Sequence, residues 1–471
     1  MIEVPEELKN LAQIFHDNGE TLYLVGGTVR DSLLGIKTKK VDYDICSSTT
    51  PNKIEKIFEN SKQFTLEPLS KQLGALKIVG ENTYEHATFR KEWYSNLSHI
   101  PTNVDFITNL TEDAERRDFK INAIYYDILE DKIIDPLGGM NDIENKILTT
   151  TKDPRLVFGD DPERILRLIR LSCSLGFEIN DEEKEFAKKF AENIVYISRG
   201  RIRKEFQKML VCDTIYPELE SSKFAHIKAI EMLEEFQILQ YIFPLLHELN
   251  VSKKYNHDGK KYYEYILSHI KKAKSSIRLA VIFYDFKEFK KSKNQKKDFD
   301  ESAFVSKIIE DNIGEKVTNF PEYIKTRIYK TVMGFNFYKK FLMSNKTIRH
   351  FVFDNYDAIN DIIELKSFIH LGEKEDKKRL ESIALLKETK KQMENEKVVF
   401  YKEDLNVNGK EMIREFPKIK LELLGEFMTE IAGKMSETDS KNDKETIIAV
   451  GNKLINSKRD YWLDKWLLFR F

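Results

Sequence analysis

Cysteine is nearly missing from this sequence. Three residues in 471, Cys46, Cys173 and Cys212, lie far apart and without C-x-x-C spacing. That excludes a disulfide framework or a cysteine-based zinc site, and it fits a reducing cytoplasm. No apolar run approaches the ~20 residues that cross a bilayer as a helix. The start, MIEVPEELKN, is acidic and lacks the basic-then-apolar order of a signal peptide. Excess charge of one sign is missing too, with 77 Lys+Arg against 78 Asp+Glu. Such a balance gives no global pull on nucleic acid, so any binding of that kind must rest on local basic patches. Gly (19) and Pro (11) are sparse, which favours helix.

What is present describes a globular chain of about two to four domains, with 41% hydrophobic and 33% charged residues. Residues 1–20 read as an amphipathic helix with Leu8, Leu11, Ile14 and Phe15 on one face. TLYLVGG reads as a buried strand ending in two glycines, TVRDSLLG as a helix stopped by Gly35, and VDYDICS as a second strand. A helix from Pro51 follows, then strand-like runs ALKIVG, YEHATFR and NVDFIT. The segment to about residue 140 is therefore expected to be a small α/β unit with a mixed sheet. From residue 153 the pattern turns helical. DPERILRLIRLSCSLG is its clearest helix, capped by Asp161 with Pro162 in the first turn and closed by Gly176. Lysine-rich stretches at 287–297, 373–393 and 434–445 are expected on exposed loops or helix surfaces.

Chemistry concentrates in GGTVRD, Gly26 to Asp31, followed by VDYD with Asp42 and Asp44. A glycine pair between strand and helix lets backbone N–H groups approach a phosphate, and Arg30 on that turn can add a bidentate contact. Two Asp at i and i+2 on a strand share one face. Such a pair suits two Mg²⁺ ions, one activating an attacking hydroxyl and one holding a leaving pyrophosphate. Asp161, Arg164, Arg167 and Arg170 recur every three residues along one helix, opposite Ile165, Leu168 and Ile169.

These motifs, in this order, resemble the class II tRNA nucleotidyltransferase and bacterial poly(A) polymerase family of polymerase β-like nucleotidyltransferases. The resemblance is carried by LVGGTVRDSLLG…VDYDI, by AERRDFKINAIYYD (114–127, with Lys120 where Thr is usual) and by DPLGGMNDI (135–143). GDDPERILRLIRLSCSLGF (159–177) and ISRGRIRKEFQKML (197–210) continue it. It implies an α+β chain, with a nucleotidyltransferase head at 1–140 followed by all-α neck (141–212), body (213–370) and tail (371–471). It implies Mg²⁺ held by Asp42 and Asp44, with Gly26, Gly27 and Arg30 at the triphosphate. Arg117, before Asp118, matches the nucleotide contact, while Arg116 has a structural salt bridge as its alternative and Asn122 is structural or a ribose contact. Asp161 and Arg164 would read cytosine or adenine in place of a template base, with Arg167 and Arg170 supporting that pair or touching phosphates. Asp160 stands where Glu is usual. Glu85 is the preferred third catalytic carboxylate and Asp105 the second.

The implied activity is addition of C, C and A to tRNA 3′ ends from CTP and ATP, with the acceptor arm as partner. Poly(A), CC-only or A-only addition is the alternative within the family, and an inactive RNA-binding protein the alternative outside it. The stretch KEWYSNLSHIPTN replaces the family's acidic, Gly- and Arg-rich loop. Residues 240–290 resemble an HD-type region in which Tyr265 and Tyr284-Asp285 stand in place of metal-ligand positions, leaving His257, Asp258 and Asp285. That points to a degenerate helical domain. DLNVNGKEMIREF (404–416) resembles a late element of longer members and is expected to build a tail that cradles the tRNA acceptor arm. Trp462 and Trp466 are expected in the core.

Overall fold

The structure is a computed structural model that describes residues 2–36, 43–94, 101–252, 256–293, 299–338, 344–370, 372–438 and 440–462. The chain divides into two compact units: residues 1–271 with 310–320, and residues 272–309 with 321–471.

The first unit opens with α1 (Glu6–Asp17), β1 (Tyr23–Val25), α2 (Gly27–Leu33), β2 (Asp44–Ser47) and α3 (Pro51–Phe58). Then come β3 (Thr65–Ser70), β4 (Ala75–Val79) and β5 (Thr83–Thr88), and the short ribbon of β6 (Arg90–Trp93) and β7 (Asn103–Phe106). After α4 (Leu110–Glu115), β8 (Tyr125–Asp127) and β9 (Lys132–Ile134) complete a seven-stranded sheet in the order β3-β4-β5-β2-β1-β8-β9. Within this sheet only β2 and β5 pair in parallel. The mixed sheet expected from the sequence is therefore present.

Strand alternation sets the two faces. Leu24, Ile45, Tyr84 and Tyr126 enter the core made with Leu8, Leu11 and Phe15 of α1 and with Ile54 and Phe58 of α3. Val25, Cys46 and Tyr125 point the other way, toward Phe89 and Ala114. Asp44 is two residues from Cys46 and so shares that second face, at the end of the strand. NVDFIT does form a strand, but it pairs with β6 outside the main sheet. The strand β3 escapes the sequence pattern because Pro68 interrupts it. It sits at the sheet edge with a register shift between Pro68 and Ser70, where a missing N–H is tolerated.

Helices follow: α5 (Gly139–Asn145), α6 (Pro154–Asp160), α7 (Glu163–Leu175), α8 (Asp181–Lys189) and α9 (Arg199–Leu210). Asp161 accepts from the Glu163 N–H at 3.0 Å and so caps α7, and Gly176 ends it at φ +72°. The second unit is helical. Val352, Leu386, Phe427, Ile431 and Trp462 share its core, so Trp462 lies where expected and Trp466 lies outside the described residues. Lys287 departs from the expected exposed stretch. It is fully buried, 2.8 Å from Glu288 and 3.3 Å from Glu301, because its helix turns that position inward. Among the described residues no helix is long and apolar enough to cross a membrane.

One clamp fixes the strand that carries Glu85. The Glu7 carboxylate accepts from the backbone N–H groups of Glu81 (2.5 Å) and Asn82 (2.9 Å), the Asn82 amide (2.9 Å) and the Tyr84 hydroxyl (2.8 Å). Burial opposes the charge, yet these bonds hold the Glu7 pKa below its ordinary value. Glu7→Ala leaves those donors without an acceptor and should cost on the order of 2 kcal/mol. Hydrogen exchange checks this, with lost protection at Glu81 and Asn82 as the expected outcome.

Candidate active site

Two cavities meet at Asp44. The larger, about 710 Å³, runs from Gly26 and Gly27 past Arg117 and Asp118 to α7 and α9. The smaller, about 250 Å³, lies over Glu85 and Leu69. Asp44, Arg90, Arg116 and Arg117 line both. Ten Arg and Lys side chains line the larger cavity against six Asp and Glu, a field suited to a polyanion.

Of the residues singled out in the sequence, Gly26, Gly27, Arg30, Asp44, Arg117, Asp118, Asn122, Asp161, Arg164, Arg167 and Arg170 all line the larger cavity. Asp42 lies outside the described residues. Glu85 is the direct register partner of Asp44 on the parallel strand β5, which puts adjacent Cα atoms about 5 Å apart on one face. Asp105 pairs with Lys91 on the separate ribbon and lines neither cavity. Gly26 has φ +83°, and a Cβ there would stand 3.3 Å from Asp44 Oδ2. The positive φ favours glycine at this turn, and a side chain there would also press on the Asp44 carboxylate.

Arg30 is 4% exposed and already engaged. Its Nε and Nη2 donate to Asp31 at 2.9 and 2.7 Å, Nη1 to Asn122 at 2.7 Å, and Nη2 also to the Tyr216 hydroxyl at 2.8 Å. That network holds Arg30 at the turn, at the wall of the larger cavity. Asn122 in turn donates to Asp118 at 3.1 Å, and Arg167 Nε donates to the other oxygen of Asp118 at 2.7 Å. Burial pushes the Asp118 pKa up, but the Arg167 charge and these hydrogen bonds prevail and lower it to about 2. The same pairing raises the pKa of Arg167.

A second buried carboxylate, Asp113, holds the tandem arginines. It accepts from Arg116 Nε at 2.7 Å, Arg117 Nη2 at 3.0 Å and the Tyr125 hydroxyl at 2.7 Å. Burial again opposes its charge, and Arg117 and Arg116 bring its pKa down to about 2. At the far wall Arg170 donates to Glu205 at 2.7 Å, and Arg201 pairs with Glu163 and approaches Asp161 at 3.5 Å. Arg164 differs from its neighbours. Its Nη2 donates to the Arg116 carbonyl at 2.8 Å, while its buried Nη1 has no hydrogen-bond partner. A buried donor without an acceptor is costly, and this one lines the cavity beside Asp161.

Sequence reasoning missed Asp113, Glu205 and Tyr216. The four-residue step from Asp113 to Arg117 is a legible helical ion-pair signal. Tyr216 is 186 residues from Arg30 and carries no local signal. His257 and Asp258 have side chains outside the described residues, and Tyr265 and Tyr284 fall in different units. Among the described residues no cluster of three or more His, Cys, Asp or Glu is arranged to hold a metal ion.

Residues 22–149 match the model of the poly A polymerase head domain, and residues 176–249 match that of the probable RNA- and SrmB-binding site of polymerase A. Curated CCA-adding enzymes are similar to this chain. The protein of Geobacillus sp. (strain WCH70) is 33% identical over 261 residues, 54% of this chain and 60% of that protein. The protein of Bacillus pumilus (strain SAFR-032) is 36% identical over 234 residues, 48% of this chain and 56% of that protein. The chain thus matches less than two thirds of the length of these relatives. Among solved structures, the Bacillus stearothermophilus CCA-adding enzyme in complex with CTP has a TM-score of 0.59 at 20% identity, covering 97% of this chain and 98% of that one. This shows a shared fold, a mixed-sheet head followed by helices. An apo CCA-adding enzyme aligns with a TM-score of 0.50 at 20% identity over 96% of each chain.

The lowered carboxylate pKa values set an acid limit. A group whose pKa falls on folding stabilises the protein above its ordinary value, 3.8 for Asp, and loses that contribution as pH drops toward the folded value. Asp113→Asn should lose about 2 kcal/mol at neutral pH. Acid titrations of unfolding should show the variant with a shallower stability loss between pH ~4 and ~2 than the parent.

Proposed function

We propose that this chain is a template-independent nucleotidyltransferase that adds C, C and A to the 3′ end of tRNA from CTP and ATP, acting in the cytoplasm on the acceptor arm. The observation that carries the reading is the unpartnered Nη1 of Arg164 beside Asp161, in the cavity that ends at Asp44. A carboxylate accepts from an exocyclic amino group, and a guanidinium donates to a ring acceptor. Cytosine and adenine both offer that combination on the Watson–Crick edge, whereas uracil has no amino group and guanine carries a ring N–H there in place of a ring acceptor.

The donor set fits Mg²⁺. Asp44 and Glu85 are strand neighbours offering hard oxygens, and the missing Cβ of Gly26 leaves a cradle at Asp44 Oδ2. We assign Asp42 and Asp44 as ligands with Glu85 as the third carboxylate. When bound, the ion supplies Lewis acidity to the attacking hydroxyl and to the departing phosphates. The protein's own share is positioning. Asp118 and Asn122 fix Arg167 and Arg30, Asp113 fixes Arg117 toward the phosphates, and Asp161 with Arg164 selects the base. The tRNA 3′-hydroxyl then attacks the α-phosphate and pyrophosphate leaves, with catalysis that is largely electrostatic. We further assign residues 1–140 as the catalytic head, 141–212 as the base-reading neck, and 213–370 and 371–471 as body and tail toward tRNA.

The match of residues 22–149 to a poly(A) polymerase head favours one other reading, long A-tail addition. Incorporation from single nucleotides and mixtures, with Mg²⁺, onto tRNAs ending before, within and after CCA separates the two. Two C and one A followed by arrest is the expected result. CC or A alone shows a divided pathway, long A tails the alternative, and no incorporation an RNA-binding protein on this scaffold. Asp44→Ala should abolish measurable transfer, a loss of about 10²–10³-fold or more by analogy with other charge-stabilising groups, with tRNA binding retained. Arg164→Ala should relax choice among the four nucleotides more than it weakens triphosphate affinity, and an unchanged preference refutes the base-reading role.

A further inference from the structure

The charges around the larger cavity balance unevenly. Eight of its ten cations stand within ion-pair distance of a carboxylate. Arg30 has Asp31, Arg90 has Glu92, and Arg116 and Arg117 have Asp113. Arg167 has Asp118, Arg170 and Lys208 have Glu205, and Arg201 has Glu163. Among the described residues the two left over are Arg164 and Lys204. Arg164 is buried beside Asp161 and serves the base. Lys204 is exposed on α9 and lines the same cavity.

Position along α9 says which part of a ligand it meets. Arg201, Lys204 and Lys208 are spaced i, i+3 and i+7, so they share one helix face. Arg201 touches Glu163 and Asp161 at the base-reading end, whereas Glu205 and Lys208 stand with Arg170 two turns along α7. Lys204 is thus about 4.5 Å farther from the base-reading end than Arg201. It is an ammonium with no carboxylate in ion-pair reach among the described residues, on a helix whose cavity-lining neighbours Arg201 and Lys208 are paired with Glu163 and Glu205. We propose that Lys204 is the anchor for the terminal phosphates of the incoming nucleoside triphosphate. The flexible stem of lysine suits a point contact to phosphate oxygens that must later leave as pyrophosphate. This inference rests on the nucleotidyltransferase reading of the cavity.

Calorimetric binding of CTP and CMP to the full chain tests it independently of turnover. The parent should bind CTP more tightly than CMP. Lys204→Ala should cut that preference roughly tenfold, equivalent to about 1.4 kcal/mol, with CMP affinity unchanged, and Lys204→Arg should restore most of it. In steady-state addition the same variant should raise KM for CTP and ATP more than it lowers kcat. An unchanged CTP-to-CMP ratio, an equal loss for both nucleotides, or a rise in KM for tRNA alone overturns the assignment, the last by placing Lys204 on the RNA backbone. A parent that discriminates CTP from CMP through Lys204 but adds nothing to any RNA would refute the transferase reading and leave the phosphate anchor standing.

Discussion

The buried carboxylate of Asp118 is the joint on which the candidate site depends. One oxygen accepts from Asn122 and the other from Arg167, so a single side chain links the segment after α4 to helix α7. Through Asn122 the link continues to Arg30, and from there to Asp31 and Tyr216. A buried anion of this kind is tolerable only while all its partners are present, because removing one leaves an uncompensated charge. The network therefore stabilises one arrangement of α2, the segment after α4, and α7, with little room for variants close to it.

That arrangement explains why so many arginines can crowd one cavity. Side by side they would repel, and burial would strip their hydration. Asp113, Asp118 and Glu205, each buried, neutralise them from behind. The guanidinium groups are thereby held rigid before any ligand arrives, which is the condition for electrostatic catalysis without reorganisation. Arg164 is the exception, bonded to a backbone carbonyl in place of a carboxylate. Its unused donor keeps its full strength for a neutral acceptor.

Much of this was legible in the sequence where local pattern and chemistry coincide. The strand–glycine–helix turn at 23–33, the second strand with Asp44, and the α7 arginines have short-range signals: glycine at a positive φ, alternation, and a three-residue spacing. The strands β8 and β9 span three residues each and have no period to read. The strand β3 is masked by Pro68. The ion pairs that orient the site were harder still. Asp113 announces itself by helical spacing, but Glu205 and Tyr216 meet their partners only through tertiary packing, and Lys287 is drawn inward against the composition of its neighbourhood. Arg30 was legible as a site residue, but its bonds to Asn122 and Tyr216 come from tertiary packing that no local motif encodes.

The distance in sequence between Arg30 and Tyr216 also has a meaning in time. Strand, turn and first carboxylates leave the ribosome within the opening tenth of the chain, whereas Glu205 and Tyr216 follow more than 150 residues later. At 5–20 residues per second, the interval is roughly ten to thirty-five seconds. Throughout it, a nascent head carries Arg30 without its hydroxyl partner and lacks the α7–α9 wall. A growing chain can therefore fold its sheet early and still hold only half of the candidate site until the helices behind it have been synthesised.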